Sequence, residues 1–182
     1  MVHDPAICPN PFTLALVRES GQTRRHQGYV REAVRAVVIR NGQYLMTFSE
    51  KESDYKFPGG GVLENETHRG ALARELLEET GYSLSKVKTL LGSAMELDFS
   101  CSPDISVFRM VSFYYLCEIG DGQVPLTLDD YEKELGFTPM WVSPREALHN
   151  NKLLIHQKSA KNLFWLAREI AVLSVLIESG WK

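Results

Sequence analysis

Apolar positions in this chain fall into short β-branched runs over most of its length and at helical spacing near its end. Phe12 to Val17 alternates loosely and predicts a short strand. Ala33 to Ile39 is continuous and β-branched, the pattern of a buried strand. Asn41-Gly42 follows at once and leads into Gln43 to Phe48, so a tight hairpin is expected there. Residues 49–65 are polar and glycine-rich and predict a loop. Residues 66–80 predict a helix, with Asn65 as its N-cap and Gly81 as the left-handed residue that ends it. Two long strands, 84–98 and 105–119, are separated by turn residues at 100–104. A polar loop covers 120–136. Residues 137–142 form a last strand, after which Ser143-Pro144 opens a helix with Ser at the N-cap and Pro at the first position. A second helix is expected over 158–178.

This order predicts an α+β protein, an αβα sandwich built on a mixed β-sheet. Residues 1–28 read as an N-terminal extension of the same domain and residues 29–182 as the single domain itself. In the C-terminal helix, Leu163, Leu166, Ile170, Leu173 and Ile177 form one apolar stripe, with Phe164, Ala171 and Val175 beside it. Packing on the sheet is the expectation, and the second stripe leaves a homodimer contact as the alternative. Ile170 to Ile177 is far short of the ~20 residues that cross a bilayer, so no membrane partner is expected.

The chain has 182 residues, 44% hydrophobic and 24% charged, which suits one globular domain and excludes disordered and collagen-like classes. Its cysteines, Cys8, Cys101 and Cys117, are widely spaced and form no metal or disulfide pattern. Residues 1–8 carry no signal-peptide pattern, so a cytoplasmic protein is expected. A net charge of −3 argues against a bulk polyanion partner such as nucleic acid. Charge is uneven, however. Residues 60–82 hold five glutamates against two arginines, while residues 1–40 hold six arginines against three acids.

That acidic segment, residues 57–82, carries the chemistry. On a helical wheel Gly70, Ala73, Leu76, Leu77 and Thr80 fall in one arc, with Glu75, Glu78 and Glu79 nearly opposite and Leu72 at the edge. The expectation is one face on the core and three carboxylates on the other. Glu75 and Glu79 repel at i,i+4 by ~0.2–0.5 kcal/mol. They also stand where the helix dipole disfavours anions by ~0.3–1 kcal/mol each. A bound hard cation reverses both signs, and an oxygen-only ligand set favours Mg²⁺ or Mn²⁺ over zinc. The run Phe57-Pro58-Gly59-Gly60-Gly61 enters this helix and allows close approach of backbone to ligand.

The segment resembles the Nudix box, G-x5-E-x7-R-E-U-x-E-E-x-G-U with U a bulky apolar residue. Gly60, Glu66, Arg74, Glu75, Leu76, Glu78, Glu79 and Gly81 match in order, and Tyr82 stands where an aliphatic residue is usual. The resemblance implies a Nudix-like sandwich and a Mg²⁺- or Mn²⁺-dependent hydrolase. Such an enzyme cleaves the diphosphate of a nucleotide or nucleoside diphosphate derivative by attack of water on phosphorus. It implies Glu75, Glu78 and Glu79 as metal ligands, with the carbonyl of Gly59 as a backbone ligand. Arg74 and Glu66 become an internal pair that orients the catalytic glutamates. A further acid from the 120–136 loop, Glu134 or Glu132, is expected as base or extra ligand, with Glu78 or Glu75 the alternative base. Arg35 and Lys56 are the candidate phosphate contacts. Phe57, with Tyr55 and Phe108, is a candidate for stacking on the substrate's base. His26, His68, His149 and His156 have no partner at ligand spacing and receive no role. Two other functions compete: a non-catalytic nucleotide-sensing regulator on the same scaffold, and an RNA 5′-end pyrophosphohydrolase.

Overall fold

The computed structural model describes residues 6–18, 28–98, 107–155 and 160–181. The β-branched run at 33–39 is the middle of a longer strand, β2 (Gly28–Arg40). Asn41 and Gly42 both take positive φ, 52° and 76°, and return the chain into β3 (Gln43–Ser49) with Arg40 opposite Gln43. Two left-handed residues in a two-residue turn match the strands' own twist, so the expected hairpin forms.

Among the described residues, seven strands share one mixed sheet. β1 (Ala6–Arg18) runs parallel to β5 (Tyr82–Asp98), which pairs antiparallel with β6 (Val107–Gln123). β6 runs parallel to β2. β2 hands over to β3, and β3 is flanked by β4 (Asp54–Lys56) and β7 (Phe137–Val142). The described part of the N-terminal extension is therefore a sheet strand, with Leu14 opposite Ala94 and Leu16 opposite Glu96.

Alternation along β2 assigns its two faces. Val34, Ala36 and Val38 pack on Ala71, Leu72 and Leu76 of α1 (His68–Thr80). Val37, with Leu91, Ala94 and Tyr114 from β5 and β6, packs on Val172, Leu173 and Leu176 of α4 (Ala160–Glu178) and on Ala147 of α3 (Pro144–Leu154). Helices on both faces of a mixed sheet make the expected sandwich. The C-terminal helix packs on the sheet, but through a face rotated from the expected stripe: Leu166 and Leu173 are buried with Val172 and Leu176, while Ile170 and Ile177 are only half-buried.

Two expected loops carry structure. Residues 49–65 contain β4, which adds to the edge of β3. Residues 120–136 begin with the end of β6 and close with a short helix, α2 (Asp130–Leu135). Asp129 caps α2, accepting from the Glu132 backbone N–H at 2.8 Å while the Glu132 carboxylate accepts from the Asp129 N–H at 2.8 Å. This reciprocal cap was the unread signal in a stretch that looks merely polar. The turn at 100–104, Cys101, His26 and His156 lie outside the described residues. Cys117 is a buried free thiol, pushed up to about 12 by burial, as befits an inert core residue. Among the described residues no helix is long and apolar enough to cross a membrane.

Candidate active site

The glycine run lies along the free edge of β2. Ala36 N–H donates to the Pro58 carbonyl at 2.8 Å, Val34 N–H to Gly60 at 2.9 Å, and Val62 N–H to Glu32 at 3.0 Å. Gly59 sits at φ 139°, and a Cβ there would lie 2.1 Å from the Val34 carbonyl oxygen. At Gly60 a Cβ would fall 2.3–2.7 Å from the Glu75 carboxylate. The missing side chains are thus a receptacle for backbone on one side and a carboxylate on the other.

From there the chain turns through Asn65, at φ 63°, and α1 starts at His68. Thr67, not Asn65, is the N-cap; its Oγ1 accepts from the Gly70 N–H at 3.1 Å. Gly81 ends the helix at φ 73°, donating to the Leu77 carbonyl at 3.0 Å, as expected.

The helix is rotated from the face its wheel suggests. Glu75 and Glu79 are 7% and 4% exposed, whereas Leu77 is 41% exposed. Ala71, Leu72, Glu75, Leu76, Glu79 and Thr80 form the buried side. The carboxylates point inward because the glycine run gives them a polar seat: the Gly59 N–H donates to Glu79 Oε2 at 3.0 Å. Periodicity alone assigns carboxylates to solvent, and it cannot see that seat.

Arg74 grips Glu66 with both arms of its fork, Nε to Oε1 at 3.0 Å and Nη2 to Oε2 at 2.9 Å. It also donates to the Gly61 carbonyl at 3.0 Å and to Glu75 at 2.6 Å. The pair joins the glycine run, the turn and the helix. Arg74 holds the Glu66 carboxyl below the usual range. Glu78 is half exposed and reaches Arg74 at 3.4 Å.

Glu75, Glu79 and Glu132 bring one carboxylate oxygen each to within 4.8 Å of one another. Glu132 arrives because its cap orients it, one oxygen on the Asp129 N–H and the side chain hydrogen-bonded to Glu79. Glu134 is not brought in. It lies two residues on, about 200° around the helix, exposed and paired with Lys51 at 2.5 Å. Burial pushes all three clustered carboxyls up, Glu79 well above the ordinary value, with the Glu75 charge adding to Glu79's shift. Three desolvated oxygen acids at such spacing fit a hard divalent cation, which supplies the charge they lack.

A cavity of about 540 Å³ opens over this cluster. Arg35 lines it and donates through Nη1 to the Gly59 carbonyl, so the oxygen expected as a backbone ligand is held by a guanidinium here. Lys56 also lines it, 3.4 Å from Asp54 and over the Phe137 ring. Phe57 does not present its ring for stacking: it is 1% exposed, packed edge-on against Tyr114 and tilted against Tyr44. Tyr55 packs on Phe48. Phe108 lines the cavity, as do Met110 and Trp165. His68 is structural, 2.7 Å from the Tyr115 hydroxyl and stacked by Phe113.

Sequence reasoning missed a second polar group beside this cavity. Arg168 of α4 is 3% exposed and donates to Glu96 of β5 at 2.7 Å and to Glu169 at 2.8 Å. Burial works against the Arg168 charge, and Glu96 and its neighbours outweigh that and hold it protonated. Glu169 in turn accepts from the Phe57 N–H at 3.3 Å. Its one signal was an adjacent Arg-Glu pair inside an otherwise apolar helix.

An acid-bearing helix docked under a glycine run, on a mixed sheet covered on both faces, is the arrangement that the resemblance to the Nudix box implies. A family model described as the NUDIX domain matches residues 30–166, and the chain belongs to that family. An RNA pyrophosphohydrolase from Actinobacillus succinogenes is 37% identical over 60 residues, which are 33% of this chain and 30% of that protein. The match thus spans less than a third of that relative's length. Among solved structures, the MutT NUDIX hydrolase of Burkholderia pseudomallei superposes with a TM-score of 0.51 at 22% identity, over 64% of this chain and 85% of that one. A NUDIX hydrolase from Nitrosomonas europaea gives 0.51 at 18% identity, over 79% and 90%. At these identities the likeness is one of fold.

Proposed function

We propose that this protein hydrolyses the diphosphate linkage of a nucleotide or nucleoside diphosphate derivative with the help of Mg²⁺ or Mn²⁺. The observation that carries this reading is the cluster of buried Glu75 and Glu79 with half-buried Glu132, lining a cavity that also holds Arg35 and Lys56. Bound there, the cation would neutralise diphosphate charge and ease the approach of a nucleophile to phosphorus. Glu75, Glu79 and Glu132 would hold it, with Glu78 within reach at the rim.

The chain's own groups supply the rest. Arg35 and Lys56 offer N–H donors to phosphate oxygens. Arg74, braced by Glu66, keeps Glu75 in place. Glu78, which lines the cavity outside the clustered set, is the acid left to take the proton of the attacking water. The new bond is water oxygen to phosphorus, the broken bond is phosphorus to bridging oxygen, and the leaving phosphate carries off the electron pair. The apolar lining residues Phe108, Met110 and Trp165 suit the group linked to the diphosphate.

The test is product release across a panel of nucleotide derivatives with Mg²⁺ or Mn²⁺, read as phosphate, pyrophosphate and phosphomonoester. Metal-dependent turnover of one substrate group supports the reading. Silence across the panel with ligand binding intact overturns it in favour of a nucleotide-sensing protein. A 5′-triphosphorylated RNA belongs in the panel. Removal of pyrophosphate from RNA ends is a second reading, favoured by the short match to the Actinobacillus succinogenes protein.

Three variants test the loop acids and the glycine run. Glu132→Gln is expected to weaken Mg²⁺ binding about tenfold, since it removes one charge from the ligand set, whereas Glu134→Gln leaves it unchanged. Calorimetric titration of both decides between the two loop acids. Gly60→Ala pushes the Glu75 carboxylate out of the space it fills, and a misplacement on the order of 1 Å lowers turnover ~100-fold. Its urea midpoint should stay near wild type, because the displaced atoms are the end of a side chain and not backbone.

A further inference from the structure

Arg35 is an unusual cation for its place. Its Nη1 is on the Gly59 carbonyl, while its Nε is buried with no hydrogen-bond partner among the described residues. A guanidinium has five N–H donors, so Arg35 is under-used where it stands. Its charge bears on both Glu75 and Glu79. Arg74, the arginine that matches the box, is by contrast engaged by Glu66, Glu75 and Glu78. The Gly59 peptide links the two halves of the site: its N–H holds Glu79 and its carbonyl holds Arg35.

From this geometry we propose that Arg35 is a built-in counter-ion of the acidic cluster. It neutralises the carboxylates in the cation-free protein and passes to the substrate's phosphate oxygens when a divalent cation takes them over. This rests on the hydrolase reading above and deepens it. A divalent cation among the carboxylates repels the guanidinium and removes the anions it faces. Arg35 lines the cavity, so the move open to it is toward the anion that enters there, a diphosphate. Cation and diphosphate therefore bind with positive coupling, and the coupling is reciprocal. Cation binding alone is weakened because Arg35 must first be displaced.

Titration of the full chain with Mg²⁺ by calorimetry tests this, on wild type, Arg35→Gln and Arg31→Gln. Arg31 lines the same cavity but lies against Gly61, so its loss controls for charge alone. The expected result is Mg²⁺ affinity about tenfold tighter in Arg35→Gln, within the usual range of such couplings, with Arg31→Gln close to wild type. With methylene diphosphonate as probe, Mg²⁺ should strengthen diphosphonate binding to wild type and do so far less in Arg35→Gln. Arg35→Met, which keeps the packing of the stem, replaces Arg35→Gln if circular dichroism shows that variant unfolded. Equal Mg²⁺ affinity in wild type and the Arg35 variant, or equal tightening by Arg31→Gln, overturns the counter-ion role and leaves the hydrolase reading standing. A wild-type chain that binds no Mg²⁺ in either condition overturns both.

Discussion

Glu79→Gln should lower metal-dependent turnover by about 10³-fold, or ~4 kcal/mol of transition-state stabilisation, while leaving the fold intact. Glu79 is the most enclosed of the three clustered acids, 4% exposed, and burial and the Glu75 charge both push its carboxyl well above the ordinary value. Glutamine keeps its length and can still accept from the Gly59 N–H, the contact that seats the helix under the glycine run. What it loses is the charge that a cation needs. In EDTA the variant should therefore melt at or above the wild-type temperature, since a desolvated anion beside another anion has been removed. With Mg²⁺ the order should reverse, because only the wild type gains stability from the bound ion. Turnover at near wild-type rate would remove Glu79 from the site's chemistry.

Arg168→Met carries the largest expected loss of stability, about 3–5 kcal/mol, because it leaves Glu96 and Glu169 buried without their cation. Against a typical total of ~5–15 kcal/mol that is a severe change, visible as a lower urea midpoint. Its pH dependence has a definite sign. Burial already raises the Glu96 carboxyl, and the Arg168 charge partly offsets this. Without Arg168 the folded-state value rises further above the unfolded one. A carboxyl raised in the folded state favours folding below its unfolded value and loses that contribution as pH rises through the folded value. The deficit of Arg168→Met should shrink as pH falls from 7.5 towards 4.5, and Arg168→Met with Glu96→Gln should recover much of it at neutral pH. A deficit independent of pH would mean the loss is one of packing. Activity should fall as well, since Glu169 holds the Phe57 N–H at the start of the glycine run.

The ends of elements were legible wherever one residue type meets a backbone demand by itself. Asn41-Gly42, Gly81 and Ser143-Pro144 all punctuate the chain where expected. Asn65 misled because it does adopt a left-handed conformation, but in the turn before the helix, while Thr67 supplies the capping oxygen. The loop acid misled for a similar reason. Glu132 and Glu134 are equivalent as residue types, and only the short helix α2 sends one to the cluster and the other to Lys51. Phe57 adjoins the glycine run in sequence, yet its ring faces away into the core between sheet and α4.

By itself the sequence determined the order of the elements other than β4 and α2, the sandwich, the family and the spacing of the acids on one helix. Those properties are local, set by side-chain period, turn residues and a contiguous motif. Tertiary structure decided which face of α1 is buried, which loop acid joins Glu75 and Glu79, and where Arg35 and Arg168 spend their charges. The buried face of α1 and the pairing of Arg168 depend on partners distant in the chain, the glycine run along β2 and Glu96 across from α4. The loop acid is aimed by the local cap at Asp129 and meets Glu75 and Glu79 only once the chain is folded. A carboxylate reads as solvent-facing until the backbone N–H that receives it is in place, and periodicity carries no information about that donor.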